Sequence, residues 1–82
     1  METRQLRYFV VAAQEQNFHR AAQRLRIAQP ALSRWMAALE REVGVKLFER
    51  VGRGVQLTDA GRALARDAGR ILDDLDLSLI HI

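Results

Sequence analysis

Residues 17–44 read NFHRAAQRLRIAQPALSRWMAALEREVG, and they divide into two helices joined by a turn. Asn17 stands where an N-cap is needed, because its side-chain oxygen can accept an otherwise unpaired backbone N–H. Ala21, Ala22 and Leu25 then supply the inner face of a short helix, and the Ala-Ala pair lets another helix approach closely. After a turn at Arg26, Ile27 and Ala28, Pro30 falls in the first turn of the next helix, where its missing N–H costs least. Counting 100° per residue from Leu32, the positions Met36, Leu39 and Val43 lie within about 40° of it and point inward. On the other side Pro30, Ser33, Arg34, Ala37 and Arg41 cluster between roughly 100° and 200°, leaving an outer face that is small at its centre and polar or cationic at its sides. Trp35 borders the inward stripe, where a large aromatic packs against a core more often than it reaches outward to a phosphate. Gly44 fits the left-handed C′ position that ends such a helix.

Upstream, Leu6, Phe9, Val10 and Ala13 recur at helical spacing and predict a first helix from Thr3 to Gln16. Downstream, Val45–Arg50 and Val55–Leu57 are β-prone runs flanking the tip Val51-Gly52-Arg53-Gly54, a hairpin in which the glycines are expected to supply positive φ. Thr58 caps a last helix, with Asp59 in its first turn favourably placed against the helix dipole. Within it Leu64, Ala68, Ile71, Leu75 and Ser78 alternate spacings of four and three, and Leu72 and Leu79 widen the seam. Twenty residues at ~1.5 Å each make a rod of ~30 Å, longer than three short helices can cover. Leu64, Ala68, Ile71, Leu72 and Leu75 are therefore expected to meet a second copy of the chain, in preference to folding back on their own core.

The expected fold is mainly α: a winged helix-turn-helix, with a three-helix core and a two-stranded β-wing, followed by a long C-terminal linker or dimerisation helix. The expected division is 1–58 for the winged unit, 59–79 for the last helix and 80–82 for a tail, added or left by truncation. With 82 residues one domain is the limit, and 49% hydrophobic with 28% charged residues fits a folded helical protein. The absence of cysteine excludes a disulfide framework or thiolate site and favours a reducing cytoplasm. No run approaches the ~18 apolar residues of a membrane span, so no membrane partner is expected. Residues 1–70 hold all 13 Lys and Arg against seven acidic groups, while 71–82 carry only Asp73, Asp74 and Asp76. Such a field draws polyanions to the folded body, although charge alone does not identify the partner.

The wording of the chain sharpens this. FHRAAQRL (18–25), QPALSR (29–34), Leu39-Glu40, GVKLFER (44–50) and LTDAG (57–61) stand in the order and register of the N-terminal part of LysR-type transcriptional regulators, which the chain resembles over nearly its whole length. The resemblance implies a cytoplasmic bacterial DNA-binding domain, dimeric through its last helix and normally followed by an effector domain. It places Gln29, Pro30, Ser33 and Arg34 at base-reading positions in the major groove, and Arg50 and Arg53 at backbone or minor-groove contacts. The chemistry agrees: Gln pairs bidentately with adenine, Arg with guanine, and an Arg at a hairpin tip suits a narrow, electronegative minor groove. Arg20, Arg24, Arg41 and Lys46 join Arg50 as candidate phosphate contacts, and the expected partners are double-stranded DNA and a second copy of the chain, with higher oligomers in a full-length regulator. Four residues depart from the family pattern: Asn17 for a Ser cap, His19 for Ser or Thr, Ala28 for a capping hydroxyl, and Trp35 for a polar side chain.

Other functions find little support. Ser33 and Ser78 have no His and carboxylate at a triad spacing, so no catalytic residue and no enzyme are expected. His19 and His81 are far apart without a ligand-spaced partner, and Gly52-Arg53-Gly54 is not followed by the G-K-[ST] of a phosphate loop. Neither a metal nor a cofactor is expected. A winged helix kept as a protein-interaction module is the rival reading. Structured-RNA binding is weaker, because the outer face lacks aromatic platforms for unstacked bases.

Overall fold

A computed structural model describes residues 2–80, with side chains as far as Asp73. The order is α1 (Thr3–Glu15), α2 (Phe18–Leu25), α3 (Gln29–Val43), β1 (Phe48–Val51), β2 (Gly54–Leu57) and α4 (Asp59–Ile80). This is the winged helix-turn-helix with a long last helix that the sequence predicts.

The helix ends follow from local chemistry. Asn17 caps α2, its Oδ1 accepting the Arg20 N–H at 2.9 Å, and Thr58 Oγ1 accepts the Gly61 N–H at 3.0 Å at the start of α4. Ala28 has no side chain that can cap α3, and its backbone carbonyl takes the N–H groups of Ala31 and Leu32 at 3.0 and 3.2 Å. Gly44 ends α3 at φ 80°, where a residue without Cβ is unstrained. Gln16 and Arg26 end α1 and α2 in the same left-handed region at φ 51° and 58°, without that advantage.

Leu6, Phe9 and Ala12 of α1, Ala21 and Ala22 of α2, and Leu32, Met36 and Leu39 of α3 form one core. Phe9, Leu32, Leu39 and Leu47 are fully buried, each contributing roughly 1.5–3 kcal/mol of transfer free energy, which outweighs any single surface contact. Phe48 joins the wing to this core, edge-on to Phe9 at 5.5 Å and to Phe18 at 5.1 Å. Trp35 is half-buried and meets Tyr8 edge-on at 5.7 Å, so it packs as its place beside the stripe suggests.

Two expectations need correction. The first strand begins at Phe48, not Val45, because the Leu47 N–H bonds to the Glu40 carboxylate at 2.8 Å and the Leu47 carbonyl accepts from Thr58 N–H. Val51 pairs with Gly54, which shortens the tip to Gly52-Arg53, and only Gly52 has positive φ. Gly54 instead packs closely, since a Cβ there would lie 3.2 Å from the Gln16 carbonyl oxygen, tighter than an ordinary van der Waals contact.

The second correction concerns α4. Its 22 residues make a rod of ~33 Å that packs along α1. Ala68 and Leu72, expected between two copies, lie in the chain's own core at 0% and 7% exposure, because α1 already covers that side of the helix. Leu64 is partly buried against the same core. Ile71 stays 49% exposed, while the side chain of Leu75 lies outside the described residues, as do His81 and Ile82.

Candidate nucleic-acid interface

Burial of Leu32, Met36 and Leu39 rolls α3 so that its opposite face looks outward. Gln29, Pro30 and Arg34 are exposed there, and Ser33 is half-buried. The hairpin stands beside this face. Between α3 and the wing runs an open groove, with Gln29, Ser33 and Ala37 on the helix side and Arg50 and Arg53 on the wing side. Four of the six residues singled out for DNA share this groove, Gln29 and Ser33 with Arg50 and Arg53, and Pro30 stands next to Gln29 in the first turn of α3. Arg34 lies on the neighbouring flank of α3, in a shallow depression with Ala31, Trp35, Ala38 and Arg41.

The cations differ in how free they are. Among the described residues Arg20, Arg34, Arg41, Arg50 and Arg53 form no ion pair. Lys46 is 82% exposed, with Nζ only 3.9 Å from Glu40 Oε1. Arg24 differs from the expectation of a phosphate contact: its Nη1 donates to Gln14 Oε1 at 2.9 Å and to Glu15 Oε2 at 3.0 Å, tying α2 to the end of α1.

Three side chains at this surface carry more than the sequence suggests. His19 lines the groove from the first turn of α2, and Glu49 lines it from the wing, bonded to Gln56 Nε2 at 3.2 Å. Glu40 lies beneath it, 17% exposed, with Oε2 accepting the N–H of Leu47 at 2.8 Å and of Phe48 at 3.3 Å. In the sequence Glu40 reads only as part of a Leu-Glu pair, since its partners lie seven and eight residues away across a loop.

A recognition helix set beside a basic two-stranded wing defines the class of the winged helix-turn-helix proteins. Residues 3–62 match the family of bacterial regulatory helix-turn-helix proteins of the lysR type, and the chain belongs to that family. It is 59% identical over 73 residues to the HTH-type transcriptional regulator TfdS of Cupriavidus pinatubonensis, covering 89% of this chain and 25% of TfdS. It is 50% identical over 81 residues to ClcR of Pseudomonas putida, covering 99% of this chain and 28% of ClcR. The chain thus spans about a quarter of the length of these relatives. Among solved structures, the DNA-binding domain of CbnR in complex with DNA superposes with a TM-score of 0.94 at 47% identity, over 99% of this chain and 93% of that one. The DNA-binding domain of BenM on catB site 1 DNA gives 0.95 at 43% identity, over 99% and 90%.

Proposed function

We propose that this chain binds double-stranded DNA sequence-specifically, as the DNA-binding part of a cytoplasmic transcriptional regulator with no catalytic role. The observation that carries the reading is the placing of Gln29 and Ser33 on one helix face directly across a groove from the unpaired cations Arg50 and Arg53. A helix fits the major groove, where base pairs differ in their donor and acceptor patterns, and a hairpin beside it reaches the adjacent backbone or minor groove. CbnR and BenM domains of the same fold at 47% and 43% identity are solved on DNA, which supports the same use here. In this reading α3 lies in the major groove and contacts bases with Gln29, Pro30, Ser33 and Arg34. Arg53 enters the minor groove, and Arg20, Arg41, Lys46 and Arg50 hold phosphates.

Residues 1–58 form the DNA-reading unit and residues 59–79 the connecting helix through which two copies pair on an inverted repeat, with half-sites about one helical turn, ~34 Å, apart. Among the described residues no helix is long and apolar enough to cross a membrane. Selection of bound sequences from a random duplex pool at fixed salt tests the whole reading. An inverted repeat with that half-site spacing is expected. Recovery of no preferred sequence, beside a stable dimer, would support a protein-interaction module instead.

A further inference from the structure

The wing is held to the recognition helix by a carboxylate. Glu40 projects from α3 one turn before its end, and its Oε2 receives the two backbone N–H groups, Leu47 and Phe48, at which the chain turns into β1. Both bonds are charge-assisted, and at 17% exposure the carboxylate is largely shielded from competing water. The other strand is pinned from elsewhere, the Val55 N–H reaching the Gln16 carbonyl at 3.3 Å with Gly54 packed close to the same oxygen. Among the described residues the Glu40 bonds are the hydrogen bonds that join the wing directly to α3, the element that carries Gln29 and Ser33, beside the packing of Phe48 into the shared core.

We propose that Glu40 is a positioning residue for the wing, setting the distance from the base-reading face of α3 to Arg53 so that the two enter adjacent grooves together. The proposal rests on the DNA-binding reading above. Its physical basis is that Arg53 sits at the tip of a short two-stranded hairpin, so a small rotation at Leu47 and Phe48 moves its guanidinium further than it moves the base of the wing. With the carboxylate in place, docking of α3 delivers Arg53 without a separate ordering cost. With the side chain cut back to alanine, the N–H groups of Leu47 and Phe48 both lose their shared acceptor. The wing then loses its defined angle to α3 while the core around Leu32, Leu39 and Phe9 is untouched.

A double-mutant cycle tests this on the 82-residue chain, with Glu40→Ala and Arg53→Ala measured singly and together on the selected duplex. Arg53→Ala is expected to weaken binding about ten-fold in the parent and less than about two-fold in the Glu40→Ala background, a coupling that a purely structural role would not produce. Glu40→Ala should also speed amide exchange at Leu47 and Phe48 while leaving exchange at Leu32 and Leu39 as in the parent, which separates a freed wing from a damaged core. An Arg53 contribution of equal size in both backgrounds, or unchanged protection at Leu47 and Phe48, overturns the role of Glu40. Failure of the parent chain to bind any duplex overturns the DNA-binding reading instead.

Discussion

Arg34 projects from the exposed flank of α3 beside Arg41, clear of any ion pair among the described residues, and its guanidinium is free to present two donors to a guanine. Replacing it with alanine is expected to cost about 1–3 kcal/mol on the selected site and far less on scrambled DNA, as measured by titration at one salt concentration. Equal losses on the two duplexes would reassign it to the backbone. Gly61 gives a residue-scale prediction of a different kind. A Cβ at that position would stand 2.2 Å from the Leu47 carbonyl oxygen, so Gly61→Ala forces the α4 start away from the loop that leads into β1. Strain of this sort costs roughly 1–3 kcal/mol, visible as a lower midpoint in urea unfolding. In the sequence Gly61 is merely a glycine in the first turn of a helix. The approach of Leu47 is made by tertiary packing.

At the scale of the elements, the ion pairs sort the basic residues that composition alone leaves equivalent. Lys46 and Arg50 are exposed along the groove and Arg20 is exposed on α2, and each one replaced by alanine should reduce the slope of log K against log salt by about one unit, weakening all sequences alike. Arg24 is already bonded to Gln14 and Glu15, so Arg24→Ala should leave that slope nearly unchanged and instead loosen the α1–α2 junction slightly. A full unit of slope lost in Arg24→Ala would show that its guanidinium leaves Glu15 for a phosphate. Helix starts and stops were legible in the residues themselves, since Asn17, Pro30, Gly44, Thr58 and Asp59 act on neighbours within a turn. The start of β1 was not. Val45 is as β-prone as any residue of the wing, but the Glu40 carboxylate claims the backbone N–H of Leu47 before a ladder can form there.

For the molecule as a whole, α4 carries two kinds of apolar residue that a heptad count does not separate. Leu72 lies in the chain's own core, so Leu72→Ala should cost about 2–5 kcal/mol of stability. Ile71 is 49% exposed on the same helix, so Ile71→Glu should leave the fold intact while shifting a dimer toward monomer in sedimentation equilibrium. An Ile71→Glu chain that stays dimeric at micromolar concentration would move the interface further along the helix. The same pair of variants tests the division at residue 58: loss of pairing without loss of the winged fold is what a connecting helix distinct from a reading unit predicts.

The residues alone determined the order of elements, the inward stripe of α3, its outward face of Pro30, Ser33, Arg34, Ala37 and Arg41, and the basic wing. All of these follow from capping, from helical and strand periods, and from side-chain size, which act over a few positions of chain. Tertiary structure alone decided which cations are free, how closely Gly54 packs and why Gly61 must be small, how α4 divides its apolar stripe, and what holds the wing beside α3. Those depend on Glu15 meeting Arg24, Gln16 meeting Gly54, α1 covering Ala68 and Leu72, and Glu40 reaching Leu47, contacts whose energies appear only when separate elements are packed together. The winged helix-turn-helix is thus a local code in its parts, and the angle between its helix and its wing is a property of the packed chain.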